Sequence, residues 1–232
     1  MDLIETLRST GAVRDFLPDA VDDEVVGRIL DNARFAPSGG NRQGWRVIVV
    51  KDPERRRKLR DIYLPGWYEY LSMGAAGLVP WAPITDEEAE RAAAGRAPEV
   101  AAKAAEGPGG FAEHLDEVPV LLLVLADLRA LAAVDKHHRR YTFAGGASVY
   151  PFAWNVLLAA RAEGLAGVMT TMPIRDEEAV KRLFDIPDEL AVATLIALGR
   201  PVHQPTRLRR RTVEEFATTD TWGGTPFATP AG

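Results

Sequence analysis

The sequence predicts a layered α/β domain, a sheet covered by helices, and three observations predict it. Val118 to Ala126 is almost wholly apolar and β-forming at its start, and Leu190 to Leu198 repeats that character near the other end. Between them, Val149 to Ala160 is apolar on nearly every face, with Phe152, Trp154, Val156, Leu157 and Leu158. The first two runs read as central strands of a covered sheet, because a strand buried on both faces loses its polar alternation. The third reads as a helix sunk in a core or at a subunit interface.

The other elements follow in order. Asp22 and Asp23 offer an N-cap and first-turn acids, and Val25, Val26, Ile29, Leu30, Ala33 and Ala36 recur at helical spacing up to Pro37. Trp45 to Val50 is a short β-branched run ended by Lys51-Asp52-Pro53, hence a strand and then a helix beginning near Pro53, basic from Arg55 to Arg60. From Leu64 to His114 the pattern is less orderly, with Trp67, Tyr68, Tyr70 and Trp81, an Ala/Glu/Arg helical stretch and Gly107-Pro108-Gly109-Gly110. Such a segment can form a mobile lid over a site. Gly164 is placed to cap the apolar helix. After Gly199-Arg200-Pro201 about thirty residues run with scattered Pro, Thr and Gly and little core pattern, as expected of a tail that wraps a partner subunit.

With 232 residues, 47% of them hydrophobic and 26% charged, the chain can bury a real core, and it reads as a single domain spanning 1–232 without internal repeats. The absence of cysteine excludes disulfides, thiolate catalysis and cysteine-ligated zinc or iron–sulfur clusters. Redox chemistry would therefore need a bound organic cofactor or a His/carboxylate metal. A net charge of −5 argues against nucleic acid as a partner. No run of about 18 apolar residues occurs, and Asp2 and Glu5 stand where a signal peptide would be basic and then apolar. The expectation is a soluble cytoplasmic protein that does not engage a membrane.

The most informative segment for chemistry is Ala36-Pro37-Ser38-Gly39-Gly40-Asn41-Arg42-Gln43-Gly44-Trp45, where a helix breaks into small and amide residues before a strand. Small residues let backbone approach a flat ligand, and Asn and Gln present donor and acceptor together, which suits the edge of a flavin or nucleobase; an ordinary polar turn would look the same. Arg207, Arg209, Arg210 and Arg211 form the strongest basic cluster, suited to phosphate oxygens or simply a solvated face. Lys136-His137-His138-Arg139-Arg140 is a second; adjacent histidines on a helix diverge by roughly 100°, which disfavours a shared metal. No Gly-x-Gly-x-x-Gly after a strand, no P-loop and no Gly-x-Ser-x-Gly elbow is present, so Rossmann dinucleotide binding, P-loop chemistry and the simplest hydrolase route lack support.

The loop segment resembles the Ala-Pro-Ser-x-x-Asn-x-Gln-Pro-Trp signature of the nitroreductase family, with Gly44 where proline is usual. Val13-Arg14-Asp15-Phe16 is similar to that family's Val-Arg-x-Phe, Gly164-Leu165-Ala166-Gly167 to its Gly-Leu-Gly, and Leu198-Gly199-Arg200-Pro201 to its Leu-Gly-x-Pro. The resemblance runs from about Arg8 to Val213 and is weakest from Leu64 to Glu117. It implies an α+β fold of α/β/α layers, with a central, mainly antiparallel sheet flanked by helices, a lid-like insertion over 64–117 and a tail over 201–232 wrapping the partner.

The resemblance further implies an FMN-dependent homodimer with its sites at the subunit interface. Arg14 would lie near the flavin pyrimidine and phosphate, and Ser38, Gly39, Asn41 and Gln43 would reach the FMN held mainly by the other subunit. Backbone around Met169, Thr170 and Thr171 would face the flavin N5 region; a strand end capped by threonines is the plainer reading of those side chains, and Ser148 stands likewise. Arg209 and Arg211 are the tail residues expected at the phosphate. Thr10-Gly11-Ala12 replaces the family's usual Arg-x-Ser, with Arg8 and Ser9 placed to compensate. The implied activity is ping-pong hydride transfer from NAD(P)H to nitroaromatics, quinones or enones, with no residue required as acid or base. The alternatives are another flavin reaction, such as dehalogenation or flavin fragmentation, a non-catalytic flavin-binding protein, and a cofactor-free scaffold.

Overall fold

A computed structural model describes residues 2–227; the last five residues of the expected tail lie outside the described residues. Four strands form one sheet: β1 (Trp45–Val49), β2 (Val120–Asp127), β3 (Ala166–Thr170) and β4 (Leu190–Gly199). Their spatial order is β1-β2-β4-β3 and every pairing is antiparallel, so the two wholly apolar runs are the central strands. Trp45 lies opposite Ala126, Val120 opposite Leu198 and Ala166 opposite Gly199, and the β2–β4 register slips once at Val124/Leu125.

Helices cover both faces because neighbouring strand residues point to opposite sides. Leu122, Val124, Ile196 and Leu198 face α2 (Asp23–Ala33) and α6 (Tyr150–Ala162), meeting Val26, Ile29, Phe152 and Val156. Leu121, Leu123, Leu195 and Ala197 face α3 (Pro53–Ala75) and α7 (Glu177–Phe184), meeting Leu59, Tyr63 and Val180. Each fully buried leucine of this double core contributes about 1.5–3 kcal/mol over an exposed one. The result is an α+β domain of three layers.

Local chemistry sets the boundaries. Asp22 occupies the cap position of α2 without a side-chain cap bond, leaving Asp23 and Glu24 to complement the helix dipole. Asp52 caps α3 by accepting from the Arg55 N–H, and Pro53 opens its first turn. Gly164, at φ 76°, turns the chain out of α6.

The irregular stretch expected after Leu64 is in large part helical. Helix α3 continues through Pro65 to Ala75, and α4 (Glu87–Ala94) and α5 (Ala97–Ala105) pack against it. A prolyl ring costs a helix least where it projects into solvent, and Pro65 is exposed while Gly66 and Tyr63 beside it are buried.

The N-terminal segment closes the β3 edge. After α1 (Leu3–Ser9), whose Asp2 cap accepts from the Glu5 N–H, the Val13 N–H donates to the Gly167 carbonyl at 2.9 Å. The Leu17 N–H then donates to the Arg200 carbonyl, and Phe16 pairs with Pro201. Beyond Pro201 the described chain has little regular structure: one turn, Val213–Glu215, is held by a Thr212/Glu215 capping box, and a second is closed by pairing of Thr218 with Pro226. Among the described residues, no helix is long and apolar enough to cross a membrane.

Candidate functional site

The predicted residues fall into three groups. The first is the loop before β1. Gly40, Asn41 and Gln43 have left-handed backbone (φ 61°, 53° and 50°), unusual for residues with side chains, so the loop is tightly wound and its amides are exposed. It is braced from behind: Gly39 N–H donates to Ser148 Oγ at 3.0 Å, Gln43 N–H to Ser38 Oγ at 3.0 Å, and Arg42 Nε to the Ala130 carbonyl at 2.7 Å. Gln43 Nε2 donates to Asn41 Oδ1 at 3.2 Å, which aligns the two amides. The structure thus brings Ser38, Gly39, Asn41, Gln43 and Ser148 together. It also accounts for Gly44: a Cβ there would already lie 3.0 Å from the Ala130 Cβ, leaving a pyrrolidine ring little room.

The second group lies at the end of β3. Thr170 Oγ1 and the Tyr63 hydroxyl are 3.1 Å apart, and Thr194 Oγ1 donates to the Thr170 carbonyl at 2.8 Å. Arg14, displayed by the segment clamped onto Gly167, is exposed, makes no ion pair among the described residues, and lies close enough to Tyr63 for its charge to act on the phenol. Burial pushes the Tyr63 hydroxyl well above the ordinary tyrosine range; its bond to Thr170 and the Arg14 charge oppose this but do not outweigh it, so it stays protonated. Met169 and Thr170 are half-buried and Thr171 is exposed just beyond the strand.

Tyr63 was not among the residues singled out from sequence. It begins an aromatic ladder, to Trp67 at 6.2 Å between ring centres, then Tyr70 at 5.5 Å and Trp81 at 6.2 Å. The Arg175 guanidinium caps Trp81 at 4.6 Å. The available signal was the Leu59–Tyr63–Gly66 spacing, which puts the phenol on the buried face of α3.

The third group is cationic. Arg8, Arg207 and Arg210 line a cavity of about 550 Å³ with Leu7, Thr206 and Leu208, and none of the three arginines has an acidic partner among the described residues. Gln204 Nε2 ties the tail to the Ser9 carbonyl at 3.3 Å, which holds the cavity walls together. Arg209 and Arg211 are exposed and do not line it. Thr10 is buried with its hydroxyl spent on the Thr6 carbonyl, leaving Arg8 as the nearby N-terminal cation. A separate cavity of about 920 Å³ between α3 and α7 holds no predicted site residue. Its Arg55 and Arg175 pair with Asp185 and Glu69.

A sequence model described as Nitroreductase family matches residues 7–200 of this chain. The chain belongs to the nitroreductase family. Among curated proteins it is similar to iodotyrosine deiodinase 1 of Rattus norvegicus, 26% identical over 220 residues, covering 94% of this chain and 69% of the relative. It is also similar to an NADH dehydrogenase of Thermus thermophilus, 29% identical over 193 residues and 83% of each chain. Among solved structures, an iodotyrosine deiodinase bound to FMN and 3-iodo-L-tyrosine shares the fold. The TM-score is 0.65 at 22% identity, over 95% of this chain and the whole of the other. The three nitroreductase-like groups described above fall within the matched residues, apart from the tail arginines, which lie beyond residue 200.

Proposed function

We propose that this protein is an FMN-dependent oxidoreductase that takes electrons from NAD(P)H and passes them to electron-poor small molecules such as nitroaromatics, quinones or enones. The observation that carries the reading is the pairing of uncompensated cations with an exposed, braced amide loop. Among the described residues Arg8, Arg14, Arg207 and Arg210 have no acidic partners, and Asn41 and Gln43 project paired amides from a wound loop. That donor set fits a flavin mononucleotide: guanidinium groups match a phosphate, and amides match the alternating donors and acceptors of a pyrimidine edge.

When bound, FMN supplies the hydride chemistry, and no protein side chain need act as acid or base. Arg8, Arg207 and Arg210 would hold the phosphate. Arg14 would favour negative charge on the pyrimidine side, at a position where its guanidinium has no competing partner. The backbone at Met169, Thr170 and Thr171 would orient the reacting face, steadied by the Tyr63 hydroxyl. Ser38, Gly39, Asn41, Gln43 and Ser148 would complete a site on a second copy of the chain, making the protein a homodimer. Exposed Leu3, Ile4 and Leu7 on α1 and Trp154 on α6 offer apolar area for such a contact.

Visible absorption of the purified protein before and after anaerobic NADH or NADPH tests the reading. Flavin bands that bleach on addition support it; a colourless protein that refuses FMN on reconstitution overturns it. Sizing should give twice the 25.3 kDa chain mass. A second reading, reductive dehalogenation, is favoured by the likeness to iodotyrosine deiodinase over 94% of the chain. Halide release from a halogenated phenol, compared with nitro-compound consumption, separates the two.

A further inference from the structure

Two cavities beyond the end of β3 form one trough. The inner one, about 750 Å³, is lined by Thr171, Met172, Arg175, Trp81, Tyr141 and Phe143 among others. The outer one, about 690 Å³, is lined by Pro83, Ile84, Arg139, Arg140, Tyr141 and Phe143. Pro83, Tyr141 and Phe143 belong to both, so the trough runs from the proposed reaction face out to a cationic rim. Its inner part carries the rings of Trp81, Tyr141 and Phe143, with Glu87, Glu90, Arg91 and Arg175 also on its walls. Trp81 is held with left-handed backbone, φ 52°, between Tyr70 and the Arg175 guanidinium, a strained arrangement for so bulky a residue.

The rim is a built loop. Asp135 is 4% exposed, and its Oδ2 accepts from Phe143 N–H at 2.8 Å, Arg140 at 3.0 Å and Ala144 N–H at 3.4 Å. This closes residues 135–144 into a loop and turns Lys136, His137, His138 and Arg139 to solvent. The Arg140 guanidinium is spent on Asp135 and lies 5.5 Å from the Phe143 ring centre. Arg139 and Lys136 have no acidic partner among the described residues. The trough therefore offers aromatic rings at its reacting end and Arg139 at its outer end, with Lys136 exposed on the same loop.

We propose that this trough takes the nicotinamide donor, with the loop 136–140 binding the phosphate on its adenosine ribose, so that the protein prefers NADPH to NADH. The inference rests on the hydride-donor reading above. A nicotinamide ring suits the aromatic end near Thr171, and a dinucleotide laid along the trough carries its phosphates toward Arg139. NADH lacks the ribose phosphate that would engage Arg139 and Lys136. A pair of such rim contacts is expected to be worth about tenfold in affinity, the low end for hydrogen bonds to charged groups because the rim is exposed and screened by salt.

The test uses the flavin-loaded protein and two redox-inactive probes, 2′-phospho-ADP-ribose and ADP-ribose, titrated by calorimetry into wild type and the Arg139→Ala/Lys136→Ala variant. Both substitutions are at exposed positions outside the core. The expected result is about tenfold tighter binding of the phosphorylated probe to wild type, lost in the variant and weakened by salt. Equal binding of the two probes to wild type, or a preference that survives in the variant, overturns the proposal. Anaerobic flavin bleaching by NADPH and NADH is followed in parallel. Probe discrimination without bleaching by either nucleotide upholds the phosphate site and sinks the hydride-donor reading instead.

Discussion

Three glycine-to-alanine substitutions separate the physical roles of small residues here. At Gly167 on β3, an added Cβ would lie 2.2 Å from the Ala197 carbonyl oxygen and 2.5 Å from Leu198 Cδ2. The first of these neighbours is backbone, so β3 and β4 must move apart. Overpacking of this kind costs about 1–3 kcal/mol, and a backbone obstacle puts Gly167→Ala at about 3 kcal/mol. At Gly164 a Cβ meets nothing within 4 Å, but φ is 76°, so the cost is conformational, about 1–2 kcal/mol. At Gly27, exposed within α2 and also without neighbours, alanine should stabilise by about 0.5–1 kcal/mol. For a chain of this length 3 kcal/mol corresponds to a Tm lower by about 6–12 °C. Urea and thermal unfolding at one fixed protein concentration give the order 167, 164, 27 from most to least damaging. If Gly167→Ala costs no more than Gly164→Ala, the close β3–β4 approach is not what holds this edge. The Gly167 carbonyl also receives the Val13 N–H, so the same variant should displace Arg14 and lower flavin affinity.

The Tyr63→Phe variant removes the hydroxyl facing Thr170 but leaves Thr170 Oγ1 the Met172 N–H at 3.4 Å, so it should cost about 1 kcal/mol by denaturant unfolding, and a loss above 3 would contradict that count. The Asp135 carboxyl is held down to about 2, chiefly by the Phe143 N–H, against the usual 3.8. A depressed folded-state value gives stability that is complete above about pH 4 and lost as pH falls toward 2. Asp135→Asn should therefore flatten the pH dependence of stability in that window, and an unchanged acid slope would count against the loop's carboxylate anchor. Arg14→Ala should lose flavin on dialysis, and so should Asn41→Ala/Gln43→Ala. Mixed and reassociated, the two should recover flavin at about a quarter of all sites, by random pairing under two-fold symmetry; no recovery refutes a shared site.

The legible parts of this chain were those whose chemistry is local. β2 and β4 could be read as central because every residue from Val120 to Asp127 is buried, and nearly all of Leu190–Gly199, so no polar alternation interrupts them. Helix α2 carried its own periodicity up to Pro37, and α6 an unbroken apolar run ended by Gly164. Helix α3 was read from Pro53, but the stretch after Leu64 only as less orderly; tertiary burial of Leu59, Tyr63, Gly66 and Met73 along one face carries the helix through Pro65. In the site, the Ser38–Gln43 loop was readable because its residues are contiguous. Tyr63 was not, since its partner Thr170 is 107 positions away. The choice of Arg207 and Arg210 over Arg209 and Arg211 as neighbours of Arg8 depends on how the extended tail turns, a register that no periodic pattern encodes.

Sheet geometry bears on the proposed sharing of one site between two copies of the chain. Trp45 lies opposite Ala126 and so level with Ala191 of β4, whereas Thr170 lies opposite Leu195 and so level with Ile48. The loop before β1 and the threonines at the end of β3 thus sit on opposite edges of the sheet, with β2 and β4 between them. At about 4.8 Å per strand the edges are about 14 Å apart. The Trp45 end of the sheet also carries the turn around Asp127–Ala130, where Arg129 pairs with Asp127 and Glu189. A flat ligand lying against Thr170 and Arg14 is thus separated from its own chain's Asn41 and Gln43 by occupied structure. The same two amides on a neighbouring copy are exposed and can be brought to it by a two-fold axis, and an isologous contact would place both loops at once. The left-handed backbone of Asn41 and Gln43 gains a purpose on this arrangement: it stores strain in a loop braced by Ser148 and Ala130 so that the amides face outward, away from the chain that makes them.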